Sequence, residues 1–283
     1  MGAFNPLRIA PTEHSRWLRS LSEHNQHPLV GFNFISGAVP SNAADATNDV
    51  SFTAGACVSN SGNLFPIAAT TKQIDATFAR GSGVGGLAAG LSVTNTTYHA
   101  FALFGPKTKN QDVGFDTSIT AANLIADSIA VKSGLTEYRR IFSFVRIAGV
   151  NQGISAREIS GGGLKVDLKI PVNAWSNSTP GTAAVTITLA NCPTGVIVNA
   201  RFGWRITATS GIAVNGLTTP LATTDTLPST IVNNASGALD LNGLIVVGSE
   251  QAVDTNTSAQ IRYRLDVSAE NIGTLMGWID DRI

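Results

Sequence analysis

Gln260-Ile261-Arg262-Tyr263-Arg264-Leu265-Asp266-Val267 alternates strictly, with Ile261, Tyr263, Leu265 and Val267 on one side and polar or charged residues on the other. Successive side chains of an extended chain point to opposite faces, so this stretch reads as a half-buried antiparallel strand. Leu164-Lys165-Val166-Asp167-Leu168-Lys169-Ile170 repeats the pattern. Shorter alternations occur at Gly31–Phe34, Val50–Phe52 and Ile74–Phe78. Thr97-Tyr98-His99-Ala100-Phe101-Ala102-Leu103-Phe104 reads as a further strand, with Tyr98, Ala100 and Ala102 on one face and His99, Phe101 and Leu103 on the other. Between these runs stand turn signals such as Ser61-Gly62-Asn63, Gly105-Pro106 and Asn233-Asn234. Short strands punctuated in this way specify a mainly β protein built as sandwiches or barrels. Only Ala121 to Ser133, rich in Ala, Leu and Ile, suggests a short internal helix.

Working outward, Gly161-Gly162-Gly163 marks the natural boundary. It divides a first β domain, residues 31–160, from a second β-sandwich domain, residues 161–283, each of ordinary size. Residues 1–30 differ from both. Trp17, Leu18 and Leu21 fall at helical spacing, Glu13 lies in the first turn, and Pro28 ends the helical stretch. The expectation is a short amphipathic helix whose apolar stripe is too narrow to make a core of its own and which therefore attaches to a partner.

The composition sets limits. Nineteen basic residues balance nineteen acidic ones, and only 13% of the chain is charged, about half the usual share. A basic face is the electrostatic footprint of phosphate recognition, so a nucleic-acid partner is not expected. Hydrophobic residues make up 43%, enough for a packed core and too many for a disordered chain. A bland, neutral surface of this kind favours association. Cys57 and Cys192 are far apart and read as buried thiols. Neither a signal peptide nor an apolar run long enough for membrane insertion is evident.

Motifs that carry chemistry fail on context. Gly81-Ser82-Gly83-Val84-Gly85-Gly86 fits the dinucleotide-binding string, but Leu87-Ala88-Ala89-Gly90 after it is a poor helix and no acidic residue stands at the expected distance; a flexible loop is expected. His24 and His27 precede Pro28 without metal-ligand spacing, and His99 suits a hydrogen-bonded structural role. Asp112 and Asp116, and Asp280 and Asp281, offer carboxylate pairs but sit where turn and chain-end roles suit them. There is no nucleophile elbow and no phosphate loop. No catalytic residue, metal ligand or cofactor is assigned. Aromatic rings can stack on sugars; Trp204 lies in a core-like strand, whereas Trp175, between Asn173 and Ser176, reads as exposed on a loop and is the possible glycan contact.

Several blocks together resemble a family of bacteriophage tail and fibre-like virion proteins. They are Ala46-Thr47-Asn48-Asp49-Val50, Lys72-Gln73-Ile74-Asp75-Ala76 with Gly85-Gly86-Leu87, Thr97–Phe104, Asp112-Val113-Gly114-Phe115-Asp116-Thr117-Ser118, Tyr138-Arg139-Arg140-Ile141, and the terminal Gly277-Trp278-Ile279-Asp280-Asp281-Arg282. The likeness covers about residues 45–145 and is local at 270–283. Two features depart from the family pattern: Phe142 stands where glycine is common, and Ala121 to Thr136 is longer and more helical. The resemblance implies a non-enzymatic virion component, a tail fibre or adaptor, assembling with like copies, with a trimer favoured. A capsid-decorating or head-fibre protein and a carbohydrate-binding receptor module are the alternatives. Within that reading Trp17, Leu18, Leu21, Arg139 and Arg140 are the expected assembly contacts. The two arginines would pair with a carboxylate of a neighbouring domain or chain, or within their own domain with Asp116 or Glu137.

Overall fold

The computed structural model describes residues 33–152, 154–178, 181–208, 214–229, 231–233, 235–237 and 245–282. Trp17, Leu18, Leu21 and the rest of the 1–30 segment lie outside the described residues.

The chain is mainly β. The first half contributes β1 (Ile35–Gly37), β2 (Pro40–Asn42), β3 (Asp49–Phe52), β4 (Gly55–Val58), β5 (Leu64–Ile67), β6 (Thr70–Thr77), β7 (Val84–Leu87), β8 (Thr97–Phe104) and β9 (Gln111–Asp116). Two short helices come next, α1 (Ala122–Ala126) and α2 (Ser128–Lys132), then β10 (Glu137–Ile147), β11 (Val150–Asn151) and β12 (Ser155–Glu158). The second half contributes β13 (Leu164–Asn177), β14 (Val185–Thr188), β15 (Asn199–Ala208), β16 (Val214–Pro220), β17 (Ala235–Gly237), β18 (Ile245–Asp254), β19 (Gln260–Leu265) and β20 (Glu270–Asp280).

Thirteen strands join in one sheet, ordered β11-β10-β8-β9-β7-β6-β3-β2-β12-β13-β20-β15-β18. A three-stranded sheet, β1-β4-β5, packs on the first half of it, where Phe65 stacks on Phe104 with ring centroids 4.8 Å apart. A four-stranded sheet, β14-β19-β16-β17, packs on the second half, where Tyr263 stacks on Trp175 at 5.7 Å. The arrangement is sandwich-like at both ends. Gly161 and Gly162 turn the β12–β13 hairpin with positive φ of 86° and 84°. Strand pairing thus continues across residues 160–161, and one buried cluster draws on both sides, from Val50 and Phe144 to Trp204 and Trp278.

The alternating stretches fold as their periodicity dictates. In β19 the Ile261, Tyr263 and Leu265 face is buried and the Arg262 and Arg264 face is not. β8 is buried on both faces. Tyr98, Ala100 and Ala102 join the main cluster, while Phe101 and Leu103 pack with Leu124, Ala130 and Leu135. The α1–α2 pair is therefore the cover over the outer face of β8, which explains why an apolar Ala/Leu/Ile segment interrupts a β protein.

Two expectations are corrected. Gly81–Gly86 is not a flexible loop throughout: Gly81 and Gly83 turn with positive φ, but Gly85 and Gly86 belong to β7. That strand lies between β6 and β9, parallel to both, whereas the other pairings among the described residues are antiparallel. A Cβ on Gly85 would stand 2.1 Å from the Thr77 carbonyl oxygen, and one on Gly86 2.9 Å from the Phe115 ring. These glycines serve close packing. The second correction concerns Ile170, which does not continue the buried face of Leu164, Val166 and Leu168. The β13–β20 register slips between Asp167 and Val172, and Ile170 is 74% exposed.

Candidate functional site

β10 pairs with β8, and Arg139 and Arg140 fall just before a bulge in that pairing, between Arg140 and Phe142. Neighbouring residues on a strand point to opposite sides, and these two guanidiniums have different roles. Arg140 is buried and binds Asp280 bidentately, Nη1 to Oδ2 at 2.7 Å and Nη2 to Oδ1 at 2.9 Å. Asp280 also accepts from the Arg282 backbone N–H at 2.8 Å. Arg282, fully buried, donates from Nη1 to the Gly37 carbonyl at 2.8 Å and from Nη2 to Glu158 at 3.2 Å. Of the pairings open to Arg140 from the sequence, the structure realises the one with a carboxylate of the other block, not Asp116 or Glu137. A buried charge needs such a partner, because desolvating an unpaired ion costs several kcal/mol.

The network extends inward. Arg140 Nη1 donates to Ser143 Oγ at 3.0 Å, and Ser143 Oγ lies 2.8 Å from His99 Nδ1. Burial, and then the Arg140 charge, pushes His99 down to about 4. The imidazole is therefore neutral at pH 7. The bond pattern assigns Ser143 Oγ–H as donor to Nδ1, leaving the ring proton on Nε2. Ser143 is fully buried and already accepts from Arg140, so the Ser143–His99 pair is a structural hydrogen bond with no access for a substrate.

Arg139 lies on the other side, half-buried. Its Nη2 donates to the carbonyls of Arg282 at 2.7 Å and Asn33 at 3.3 Å. Among the described residues Arg139 forms no ion pair and its Nη1 makes no hydrogen bond. Burial holds its guanidinium below the ordinary arginine range, with the Arg140 charge adding to the effect. Arg139 lines a cleft of about 530 Å³ together with Tyr138, Asn60, Ile119, Val196, Ile197 and Asp281. Ile119 and Ile197 are 50% and 61% exposed on its walls, and Asp281 is exposed at its edge. Gly195, with φ of +82°, brings the 195–197 turn against Ile119 and His99; a Cβ there would meet the Ile119 side chain at 2.9 Å.

The other sequence candidates are structural. Trp175 is a correction. It is not on an exposed loop but in β13, opposite Gly273 of β20, and is 7% exposed. Its Nε1 donates to Asn271 Oδ1 at 2.7 Å, and its ring packs on Phe202 and Tyr263. No face remains for a sugar. Asp112 pairs with Lys72 at 2.8 Å, both buried, and Lys72 Nζ also donates to the Ala79 carbonyl at 2.6 Å. Asp116 accepts from the backbone N–H groups of Ser118, Asn123 and Leu124, holding the entry to α1. Cys57 and Cys192 are both buried free thiols, and burial pushes Cys57 up to about 12. Among the described residues no group of three or more His, Cys, Asp or Glu could hold a metal ion, and no helix is long and apolar enough to cross a membrane.

The sequence suggested only a chain-end role for Asp280, not its pairing with Arg140, and did not single out Arg282 with Glu158. A signal was present: Asp280 continues the inward phase of β20 after Trp278, and an aspartate at a core position calls for a buried cation. No protein-family model, curated protein or solved structure matches this chain.

Proposed function

We propose that this chain is a non-enzymatic structural protein of a bacteriophage particle, a tail fibre or adaptor component that assembles with like copies, as a trimer, and docks through residues 1–30. One observation carries the reading. Within the quoted sequence blocks Lys72 pairs with Asp112 and Arg140 with Asp280 as buried internal ion pairs, and the buried Arg282 guanidinium meets Glu158. A site for chemistry keeps titratable groups open to a substrate, whereas these brace strands against one another. Burial of Trp175 removes the candidate on which the carbohydrate-binding reading rested.

Incorporation into particles tests the proposal. Trp17→Ala is expected to leave the thermal midpoint of the purified protein nearly unchanged and to lower its copy number per particle severalfold. Normal incorporation, or unfolding of the purified variant, overturns the docking role. Incubation of the protein with host surface polysaccharide is expected to leave polymer length unchanged. Chain shortening that disappears in Asp112→Asn or Asp116→Asn overturns the non-enzymatic reading.

A further inference from the structure

We infer that the cleft beside Arg139 is the intramolecular seat of this chain's own segment Thr12–Glu23, so that the protein holds that segment against its body until a partner takes it. The seat itself goes beyond the virion reading and stands without it; only the hand-over to a partner rests on that reading. The first argument is reach. Asn33, where the described residues begin, is tied to the cleft by its carbonyl, which accepts from Arg139 Nη2 at 3.3 Å. Residues 22–32 span at most about 40 Å when extended, ample for a return to a cleft whose floor lies beside Asn33. At such short tether lengths the effective concentration is of millimolar order, which favours the same molecule over a second copy.

Chemical match is the second argument. The cleft holds about 530 Å³, within the range of about 300–1,000 Å³ that buries a compact ligand. Its walls carry Ile119, Val196, Ile197 and the Tyr138 ring. Trp17, Leu18 and Leu21 at helical spacing form the kind of apolar stripe that seats in a groove of this type. Charges match too. The cleft offers the unpartnered Arg139 Nη1 and the exposed Asp281, neither ion-paired among the described residues. The segment carries Glu13 and Glu23 outside Arg16 and Arg19, so each sign in the cleft has an opposite to meet.

Tryptophan quenching in the full chain tests this. Trp175, Trp204 and Trp278 are buried, so the acrylamide-sensitive emission lost in Trp17→Phe reports on Trp17. We expect Trp17 to be quenched severalfold less than in a synthetic peptide of residues 10–25. Ile197→Asp and Ile119→Asp are expected to restore peptide-like quenching with unchanged near-UV circular dichroism, whereas Ile170→Asp, an exposed position outside the cleft, is expected to leave the shielding intact. Peptide-like quenching in the native protein, or shielding indifferent to both cleft variants, overturns the assignment. Shielding that grows with protein concentration also overturns it, by moving the segment to a second copy. Trp17 shielding is read on the purified protein and particle incorporation on assembled particles, so either proposal can fail alone.

Discussion

His99 is the residue whose environment predicts a pH dependence. Its folded value of about 4 lies below the ordinary 6.5, so between those values the unfolded chain binds a proton that the native chain does not. Stability therefore rises with pH from 4 to 6.5, and the contribution is fully present above 6.5. The depression corresponds to about 3 kcal/mol across that window. His99→Gln, which keeps a polar partner for Ser143 but does not titrate, is expected to flatten the slope of urea-unfolding free energy between pH 4.5 and 6.5; an unchanged slope would exclude His99 as its source. A different balance holds at Lys72. Burial pushes its ammonium below the ordinary lysine value, opposed by Asp112, and the Phe78 ring lies 5.0 Å from Nζ. Asp112→Asn leaves a buried cation without its counter-charge and is expected to cost about 3–5 kcal/mol. Lys72→Met added to Asp112→Asn removes that orphaned charge and should recover much of the loss, measurable as a return of the urea midpoint.

The β13–β20 pair dominates at the scale of elements, and its register depends on small residues. Gly273 lies flat beneath Trp175: a Cβ there would come 2.1 Å from the indole ring. Gly273→Ala must displace a ring that is also packed on Phe202 and Tyr263, and is expected to destabilise by about 1–3 kcal/mol, with altered tryptophan near-UV signals. The same pair shows what the sequence makes legible. β19 and the first part of β13 were readable because one face is apolar and the other charged over six residues or more. Trp175 was not, because Asn173, Ser176 and Asn177 imitate a loop when the partner strand is unseen. β7 was hidden for a related reason: Val84-Gly85-Gly86-Leu87 lacks bulk because its neighbours leave no room for it, so tight packing resembles turn chemistry. At the candidate site, the pair Arg139–Arg140 was visible as adjacent cations. Which faced a carboxylate and which faced a cleft depended on β20, more than a hundred residues away in sequence.

For the whole molecule, a neutral and largely uncharged surface offers little like-charge repulsion between copies. Sedimentation velocity or native mass measurement is expected to give a trimer, and a stable monomer across micromolar concentrations would refute it. Where the two halves join, the long sheet narrows: β2 and β12 meet through a single residue pair, Ser41 with Ser155, as few as join β7 to β9. Across the β2–β12 seam run the guanidinium links of Arg140 to Asp280 and of Arg282 to Gly37. Under the adaptor role proposed above the chain bears tension, and so narrow a backbone seam would part under load one bond at a time. The arginine bonds cross from one half to the other in parallel and must break together, so they act as rivets that carry the strain. In single-molecule pulling with handles on β11 and β18, Arg282→Ala is expected to lower the first rupture force, separating the two halves before either unravels. Rupture at the native force would show that the seam needs no rivet.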